Sequence, residues 1–238
     1  MNAEDQARLV GERAEEVASW YFRLNGFLSI PGYVVHPDTP RRFPRTEADL
    51  MAVRFPHSVE KINQMPMQDD RRLTDLTKPT QTLFVLVEVK SDLCKINGPW
   101  SRESEGNMQR AIGRLGFAGG TELDEIAGEM YRSLRRESND NILQYIAVGK
   151  RRNDGLANKY SALVQITWKD IGKFLYYRFK KFPEKLGIDK PVHLQWPFFG
   201  RTYGEYSQVA TTRARSEKAI ETYIRTGSLQ LAQSYSSG

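Results

Sequence analysis

Two charged residues close the most hydrophobic segment of the sequence. Residues 83–90 read LFVLVEVK, and this nearly continuous run of aliphatic, β-branched and aromatic side chains predicts a buried central strand. Side chains two residues apart on a strand share a face, so Glu88 and Lys90 point the same way. Burial of either charge without a partner costs several kcal/mol. The two residues therefore either reach solvent where the strand ends, pair with each other, or belong to a site.

A second carboxylate, Asp49, lies in the preceding predicted strand. Period-two alternation places it with the apolar Met51 and Val53. If the two strands are neighbours, Asp49 meets Glu88, and facing carboxylates raise each other's pKa unless a cation lies between them. Oxygen ligands of this kind suit Mg²⁺ or Mn²⁺. A nearby Lys90 would then position or activate water and neutralise charge in a phosphoryl transition state.

A third acidic group is offered by the first predicted helix, residues 5–25. Apolar residues recur there at helical spacing, and Asn25-Gly26 supplies the stop. A helical wheel places Glu15 on the margin of the buried side and Glu16 further toward solvent. Acidic residues are also common in the first turns of helices because they complement the helix dipole, and for Glu12 and Glu16 both explanations stay open.

The chain carries an excess of positive charge. Lys and Arg number 35 against 29 Asp and Glu, giving a formal charge of +6 and a pI near 9.3. Such an excess suits a polyanionic partner, because neutralised phosphates release counterions. A solvated surface explains the same runs of charge, so charge alone leaves the partner open. The two clusters that we assign to nucleic-acid binding are Arg41, Arg42 and Arg45, and Lys150, Arg151 and Arg152.

The predicted elements follow the order of a mixed α/β domain. Strands are predicted at residues 29–36, 48–55, 83–90, 142–148 and 161–167. Further helices are predicted at 105–118, 121–137, 168–182 and 213–226. We expect residues 1–182 to form the main domain, with a partly mobile insertion at about 56–82. Residues 183–238 are expected to form a C-terminal extension that packs on the core and ends in a frayed tail.

Three features predict a cytoplasmic protein without a membrane segment. No apolar run approaches the roughly 20 residues that cross a bilayer. The N-terminus carries Glu4 and Asp5 and lacks the basic-then-apolar pattern of a signal peptide. The single cysteine, Cys94, excludes an internal disulfide and fits a reducing compartment.

Four motifs, taken in their order along the chain, resemble the PD-(D/E)XK nuclease superfamily, in particular its Holliday-junction-resolvase-like and restriction-endonuclease-like branches. They are residues 11–18 (GERAEEVA), Asn25-Gly26-Phe27, Glu47-x-Asp49-Leu50 and residues 87–90 (VEVK). The resemblance spans residues 8–117, about half of the chain. It departs from the family pattern at Ala48, where the motif has a proline, and in the long segment that follows Asp49.

The resemblance implies a restriction-endonuclease-like core, which is a mixed β-sheet flanked by helices. It implies that Asp49 and Glu88 bind Mg²⁺ or Mn²⁺. Catalysis is assigned to the same two residues together with Lys90 and Glu15. In this family such a site hydrolyses phosphodiester bonds in DNA, so the expected function is that of a metal-dependent DNA endonuclease.

Two further side chains are accessory candidates: Gln109, on the helix that follows the Lys90 strand, and Glu47, in the Asp49 motif. Two rival functions stay open on the same fold. One is a non-catalytic DNA-binding module, and the other is a structural subunit of a nucleic-acid-processing complex. Association as a homodimer or with a partner protein is also left open.

Overall fold

The computed structural model describes residues 2–36, 46–62, 64–181 and 209–229. Its helices are α1 (Ala3–Leu24), α2 (Arg71–Thr74), α3 (Asn107–Leu115), α4 (Glu122–Ser133), α5 (Asp154–Lys159), α6 (Trp168–Lys181) and α7 (Arg213–Thr226). Its strands are β1 (Leu28–Val35), β2 (Thr46–Arg54), β3 (Lys61–Ile62), β4 (Met65–Pro66), β5 (Thr82–Val89), β6 (Arg135–Glu137), β7 (Asn141–Gly149) and β8 (Val164–Thr167).

A mixed sheet organises these elements in the order β1-β2-β5-β7, with β6 and β8 both pairing with β7. Strand β2 pairs antiparallel with both β1 and β5, whereas β5, β7 and β8 run parallel to one another. Helices cover both faces of the sheet. Strands buried on both faces need apolar side chains throughout, which explains the composition of β5 and β7. The expected α/β class and mixed sheet are therefore confirmed.

Two apolar layers pack against the sheet. Val85 and Val87 of β5 pack with α1, α6 and α7, whereas Leu86 packs with α3 and α4 on the other face. This alternation follows directly from the period of a strand. The layer that contains α1 and α7 also includes Trp168 and Tyr21, both almost fully buried. The core thus holds the end of β5 rigidly from both sides.

Helix α1 begins at Ala3, two residues before the predicted start, and ends at the predicted Asn25-Gly26 stop. The side chain of Asn2 accepts the backbone N–H of Asp5, which caps the first turn. At the other end, Gly26 adopts a left-handed φ of 79°, a conformation that glycine tolerates best. The buried Asn25 side chain accepts the backbone N–H of Asp70 at 2.7 Å. Helix α1 is therefore anchored to the segment between β2 and β5.

The C-terminal helix α7 packs on the same core as α1 and α6. Helices α6 and α7 approach so closely that a Cβ added to Gly172 would lie 2.6 Å from the Cα of Glu217. The Ser216 hydroxyl donates to the Gly172 carbonyl oxygen at 2.7 Å, and Ile220 is fully buried. Residues 209–229 are thus tied to the sheet layer. Residues 230–238, which include the tail predicted to fray, lie outside the described residues.

The segment predicted as an insertion contains more structure than expected. It forms the β3–β4 hairpin and α2, and Leu73 is buried in the core. Asp69 pairs with Arg54 and with Arg178, each at 2.8 Å. These contacts attach its second half to β2 and α6.

The second of the predicted helices after β5 is shorter than expected at its C-terminal end. The helix expected over 121–137 stops at Ser133, because Leu134 adopts a left-handed φ of 62°. Residues 135–137 then form β6 against β7. Pairing with an open strand edge has outweighed the helical periodicity of this segment.

None of the helices among the described residues has the length and hydrophobicity that a membrane span requires.

Candidate active site

The candidate site lies where β2 and β5 stop pairing. The last pair of their ladder is Leu50 with Val87, and Asp49 and Glu88 come next on the two strands. Beyond that pair, the carboxylate of Asp49 accepts the backbone N–H of Val89 at 2.6 Å. A side chain thus takes the place of a backbone acceptor at the end of the ladder. This bond orients one oxygen of Asp49 toward the end of β5.

Lys90 brings the two carboxylates together. Its Nζ lies 2.5 Å from Oε1 of Glu88 and 3.5 Å from Oδ2 of Asp49. It also donates to the Val89 carbonyl oxygen at 3.0 Å. The side chain is partly exposed, whereas that of Glu88 is only 1% exposed. The site is therefore a charged cluster with one side buried and the other open to solvent through Lys90.

Glu88 is a buried carboxylate with a partner that the sequence did not reveal. The hydroxyl of Tyr145, on the neighbouring parallel strand β7, donates to its Oε2 at 3.2 Å. Burial, followed by the Asp49 carboxylate, raises the pKa of Glu88 to about 7, although Lys90 and Tyr145 act in the opposite direction. A tyrosine within a largely apolar strand was the available signal, since a buried hydroxyl requires a hydrogen-bond partner.

Glu15 enters the same electrostatic cluster from α1. Burial, then the carboxylates of Asp49 and Glu47, raise the pKa of Glu15 to about 7, and the Lys90 ammonium opposes them. Glu15 is half-buried and makes no hydrogen bond with any residue that the structure describes. Glu47 itself is exposed. The structure thus brings Glu15, Glu47, Asp49 and Lys90 within electrostatic reach of one another.

Glu16 does not point toward solvent as the helical wheel predicted. It is half-buried, and its Oε2 accepts the hydroxyl of Tyr223 on α7 at 2.9 Å. The prediction was wrong because the wheel treats α1 as having one buried side, whereas α7 packs on a second side. Glu15 and Glu16 therefore have different surroundings. Glu15 lies in the electrostatic field of Asp49, Glu47 and Lys90, whereas Glu16 accepts a specific hydrogen bond from Tyr223.

Lys90 is suited to hold a positive charge. Burial disfavours its ammonium, but the carboxylates of Glu88 and Asp49 outweigh burial and raise the pKa of Lys90. A group that stays protonated above neutral pH is a poor general base. Of the two roles that the sequence left open for Lys90, the surroundings favour charge stabilisation.

The acidic residues fit a divalent cation with few protein ligands. In the described part of the chain no three Asp, Glu, His or Cys side chains are close enough to form a complete metal cage. However, Mg²⁺ is commonly held by one or two carboxylates, with water and phosphate oxygens completing its shell. Oε1 of Glu88 is fully buried, and the close Lys90 ammonium does not meet it with hydrogen-bond geometry. Asp49 and Glu88 are therefore compatible with a site of two carboxylates.

Gln109 is not brought to the carboxylates by any described contact. Its amide donates to Asp124 on α4 at 3.4 Å, and its buried Oε1 has no hydrogen-bond partner among the residues that the structure describes. Its accessory role stays a prediction.

Each residue of the second basic cluster has a carboxylate partner. Arg151 contacts Asp92 through two bonds, of 3.2 and 2.8 Å. Arg152 lies 3.5 Å from Asp170, and Lys150 lies 3.7 Å from Glu221. These pairs lower the net charge of the turn. The first cluster, Arg41, Arg42 and Arg45, lies outside the described residues.

A cavity of about 590 Å³ between α2 and α6 is a less suitable reaction site. Its two carboxylates already serve as structural ion-pair partners, Asp69 for Arg54 and Arg178, and Asp70 for Arg72. It contains none of the residues at the end of β5.

The raised pKa of Glu88 predicts a measurable pH dependence of stability. Its stabilising contribution is complete below the usual carboxyl pKa of 4.5 and is lost as pH rises through about 7. Glu88→Gln retains the shape without the charge. We therefore expect this variant to gain stability relative to wild type between about pH 5 and pH 8, by up to about 3 kcal/mol.

Urea unfolding of both proteins without added metal, at the two pH values, measures this difference. Glu60→Gln, an exposed carboxylate in the segment between β2 and β3, is the matched control and should show no such trend. A stability difference between Glu88→Gln and wild type that does not change with pH would show that Glu88 titrates normally.

Comparison of the chain with protein-family models, with curated proteins and with solved structures found no match.

Proposed function

We propose that this chain is a divalent-metal-dependent endonuclease that hydrolyses phosphodiester bonds in DNA, built on a restriction-endonuclease-like core of the PD-(D/E)XK type. The observation that carries the proposal is the position of Lys90, which lies between the carboxylates of Glu88 and Asp49 at the end of the central strand. Charged groups held at the edge of an apolar core cost free energy of folding, and clusters of such groups with shifted pKa values are concentrated at functional sites.

Each residue has a defined task in this proposal. Asp49 and Glu88 would hold Mg²⁺ or Mn²⁺, which supplies Lewis-acid polarisation of the scissile phosphate and lowers the pKa of water. The Val89 N–H keeps Asp49 oriented, and the Tyr145 hydroxyl keeps Glu88 oriented. Lys90 neutralises the charge that develops on the phosphoryl oxygens. Glu15, with a pKa of about 7, is able to take up a proton near neutral pH.

DNA is the proposed substrate because the chain carries a formal charge of +6 and because of the resemblance of its motifs. One observation favours the rival proposal of a non-catalytic DNA-binding or structural subunit. Lys90 already neutralises Glu88 at 2.5 Å, so the cluster has an internal counterion without a metal. The rival predicts binding of DNA or of a partner protein without cleavage.

The test is a gel assay of plasmid, linear and branched DNA incubated with Mg²⁺ or Mn²⁺. We expect cleavage of at least one of the three forms. DNA that is bound but left intact under all these conditions would favour the rival.

The two neighbouring glutamates of α1 provide a matched pair of substitutions. We expect Glu15→Gln to slow cleavage by at least about tenfold, which corresponds to about 1.4 kcal/mol in the barrier, because Glu15 lies in the field of Asp49 and Lys90. Glu16→Gln should change the rate little, since glutamine still offers Tyr223 an acceptor oxygen. Single-turnover rates and melting temperatures are the measurements. Equal rate losses at unchanged stability would exclude a specific role for Glu15.

A further inference from the structure

A groove lies between the segment that follows β5 and the C-terminal helix. Ser91 and Asp92, which directly follow Lys90, form one wall, and α7 forms the other. Val10 of α1 and Trp168 of α6 line it between them. The groove has a volume of about 420 Å³, and the Trp168 Nε1–H donates to the Ser91 carbonyl oxygen at 3.3 Å.

The charges along the groove favour an anion. Lys150, Lys218 and Arg225 line it, with the two carboxylates Asp92 and Glu221. Asp92 is already bound by Arg151 at 2.8 Å and Glu221 by Lys150 at 3.7 Å. In the described part of the chain, Lys218 and Arg225 are exposed and form no ion pair. The two cations on α7 are therefore available to an anionic ligand.

Helix α7 holds these cations at a defined place relative to the site. The Tyr223 hydroxyl bonds to Glu16, the residue next to Glu15. Nη1 of Arg13 on α1 donates to the Arg225 carbonyl oxygen at 3.4 Å. Because α7 is also packed tightly against Gly172 of α6, the backbone positions from which its cations extend are fixed relative to α1. A residue that positions a ligand requires a rigid secondary-structure element of this kind.

We infer that this groove binds a backbone phosphate of the DNA strand next to the scissile phosphodiester, with Lys218 and Arg225 as positioning residues and Lys150 at the rim. The inference rests on the proposed function. Each DNA strand presents one negative charge per about 3.4 Å of helix axis, so a strand that extends from Lys90 toward Ser91 and α7 places further phosphates in the groove. The C-terminal helix is thereby assigned a part in substrate binding.

The test is the double variant Lys218→Ala/Arg225→Ala. DNA affinity is measured by fluorescence anisotropy of a labelled duplex in EDTA, and cleavage by steady-state kinetics with Mg²⁺. We expect Kd and KM to rise by about tenfold or more, and kcat to stay within about twofold. The slope of log affinity against log salt concentration should become shallower by about 2, one for each lost contact. Lys218→Arg, which keeps the charge, should bind as wild type does.

The matched control is Lys61→Ala/Arg132→Ala. It removes the same charge from two exposed residues on β3 and α4, outside the groove, and should leave Kd, KM and the salt slope unchanged. A uniform loss of affinity in both double variants would mean that only the total charge matters, and this would overturn the inference.

The binding measurement does not depend on cleavage, so the two proposals fail separately. If the wild type cleaves DNA and Lys218→Ala/Arg225→Ala has normal Kd, KM and salt slope, the groove is not used and the proposed function stands. If the wild type cleaves nothing but the double variant binds DNA more weakly with a shallower salt slope, the groove binds DNA and the nuclease proposal is wrong. A wild type that does not bind DNA overturns both.

Discussion

Substitution of Lys90, Glu88 or Asp49 by alanine is expected to remove nearly all DNA cleavage, by about a thousandfold or more, while the protein stays folded. The three side chains form one charged unit, because Lys90 contacts both carboxylates. Loss of any one leaves the phosphoryl transition state without either its metal ligands or its compensating charge. Single-turnover cleavage with saturating protein and metal measures the effect.

Shape-preserving substitutions keep this test independent of folding. Lys90→Ala leaves the buried Glu88 charge without its partner, which costs about 3–5 kcal/mol when such a pair is broken. Lys90→Met, Glu88→Gln and Asp49→Asn avoid a cavity and should be equally inactive. Because the residues act as a unit, Glu88→Gln/Lys90→Met should be no slower than either single variant. Wild-type rates in folded Lys90→Met would remove Lys90 from the mechanism.

Chelation of metal is expected to abolish cleavage completely, and Mg²⁺ or Mn²⁺ should restore it. The physical reason is the proximity of Asp49 to Glu88, whose buried carboxylate has its pKa raised to about 7 by burial and by Asp49. A divalent cation would stabilise the charged forms of both. Cleavage in EDTA, and in EDTA with excess Mg²⁺, is the direct measurement. Full activity in EDTA would show that the reaction does not need a metal.

The same cation should bind more tightly at higher pH. Metal binding requires ionised carboxylates and competes with protons, and Glu88 ionises as pH rises through about 7. We expect Mg²⁺ to raise the melting temperature of wild type more at about pH 8 than at about pH 6. Glu88→Gln should lose most of this metal-dependent increase. An equal increase in that variant would place the cation elsewhere.

Local patterns in the sequence were sufficient to predict the elements that carry the site. The spacing of apolar residues and the Asn25-Gly26 stop predicted α1, and residues 83–90 predicted β5. Strand periodicity placed Glu88 and Lys90 on one face, and the two residues are in contact at 2.5 Å. These features depend on interactions between residues close in the sequence, which repeat with the period of the element.

The composition of the site beyond those elements was decided by contacts between distant segments. Tyr145 reaches Glu88 only because β5 and β7 pair in parallel. The cations of residues 150–152 have acidic partners on three separate segments, including Asp92 and Glu221. No local pattern encodes which acid will lie beside which base, since ion pairs between distant segments depend on packing.

The sequence by itself determined the α/β class, the position of the main strands and the shared strand face of Glu88 and Lys90, because each follows from local periodicity and burial. Only the tertiary structure decided that α7 packs beside α1, that Glu16 bonds to Tyr223, and that Lys218 and Ser91 line the same groove. Helix α7 follows β5 by more than a hundred residues. Its place depends on the fit of its apolar face and of Gly172 to the core, and close packing of this kind is a property of the folded protein as a whole.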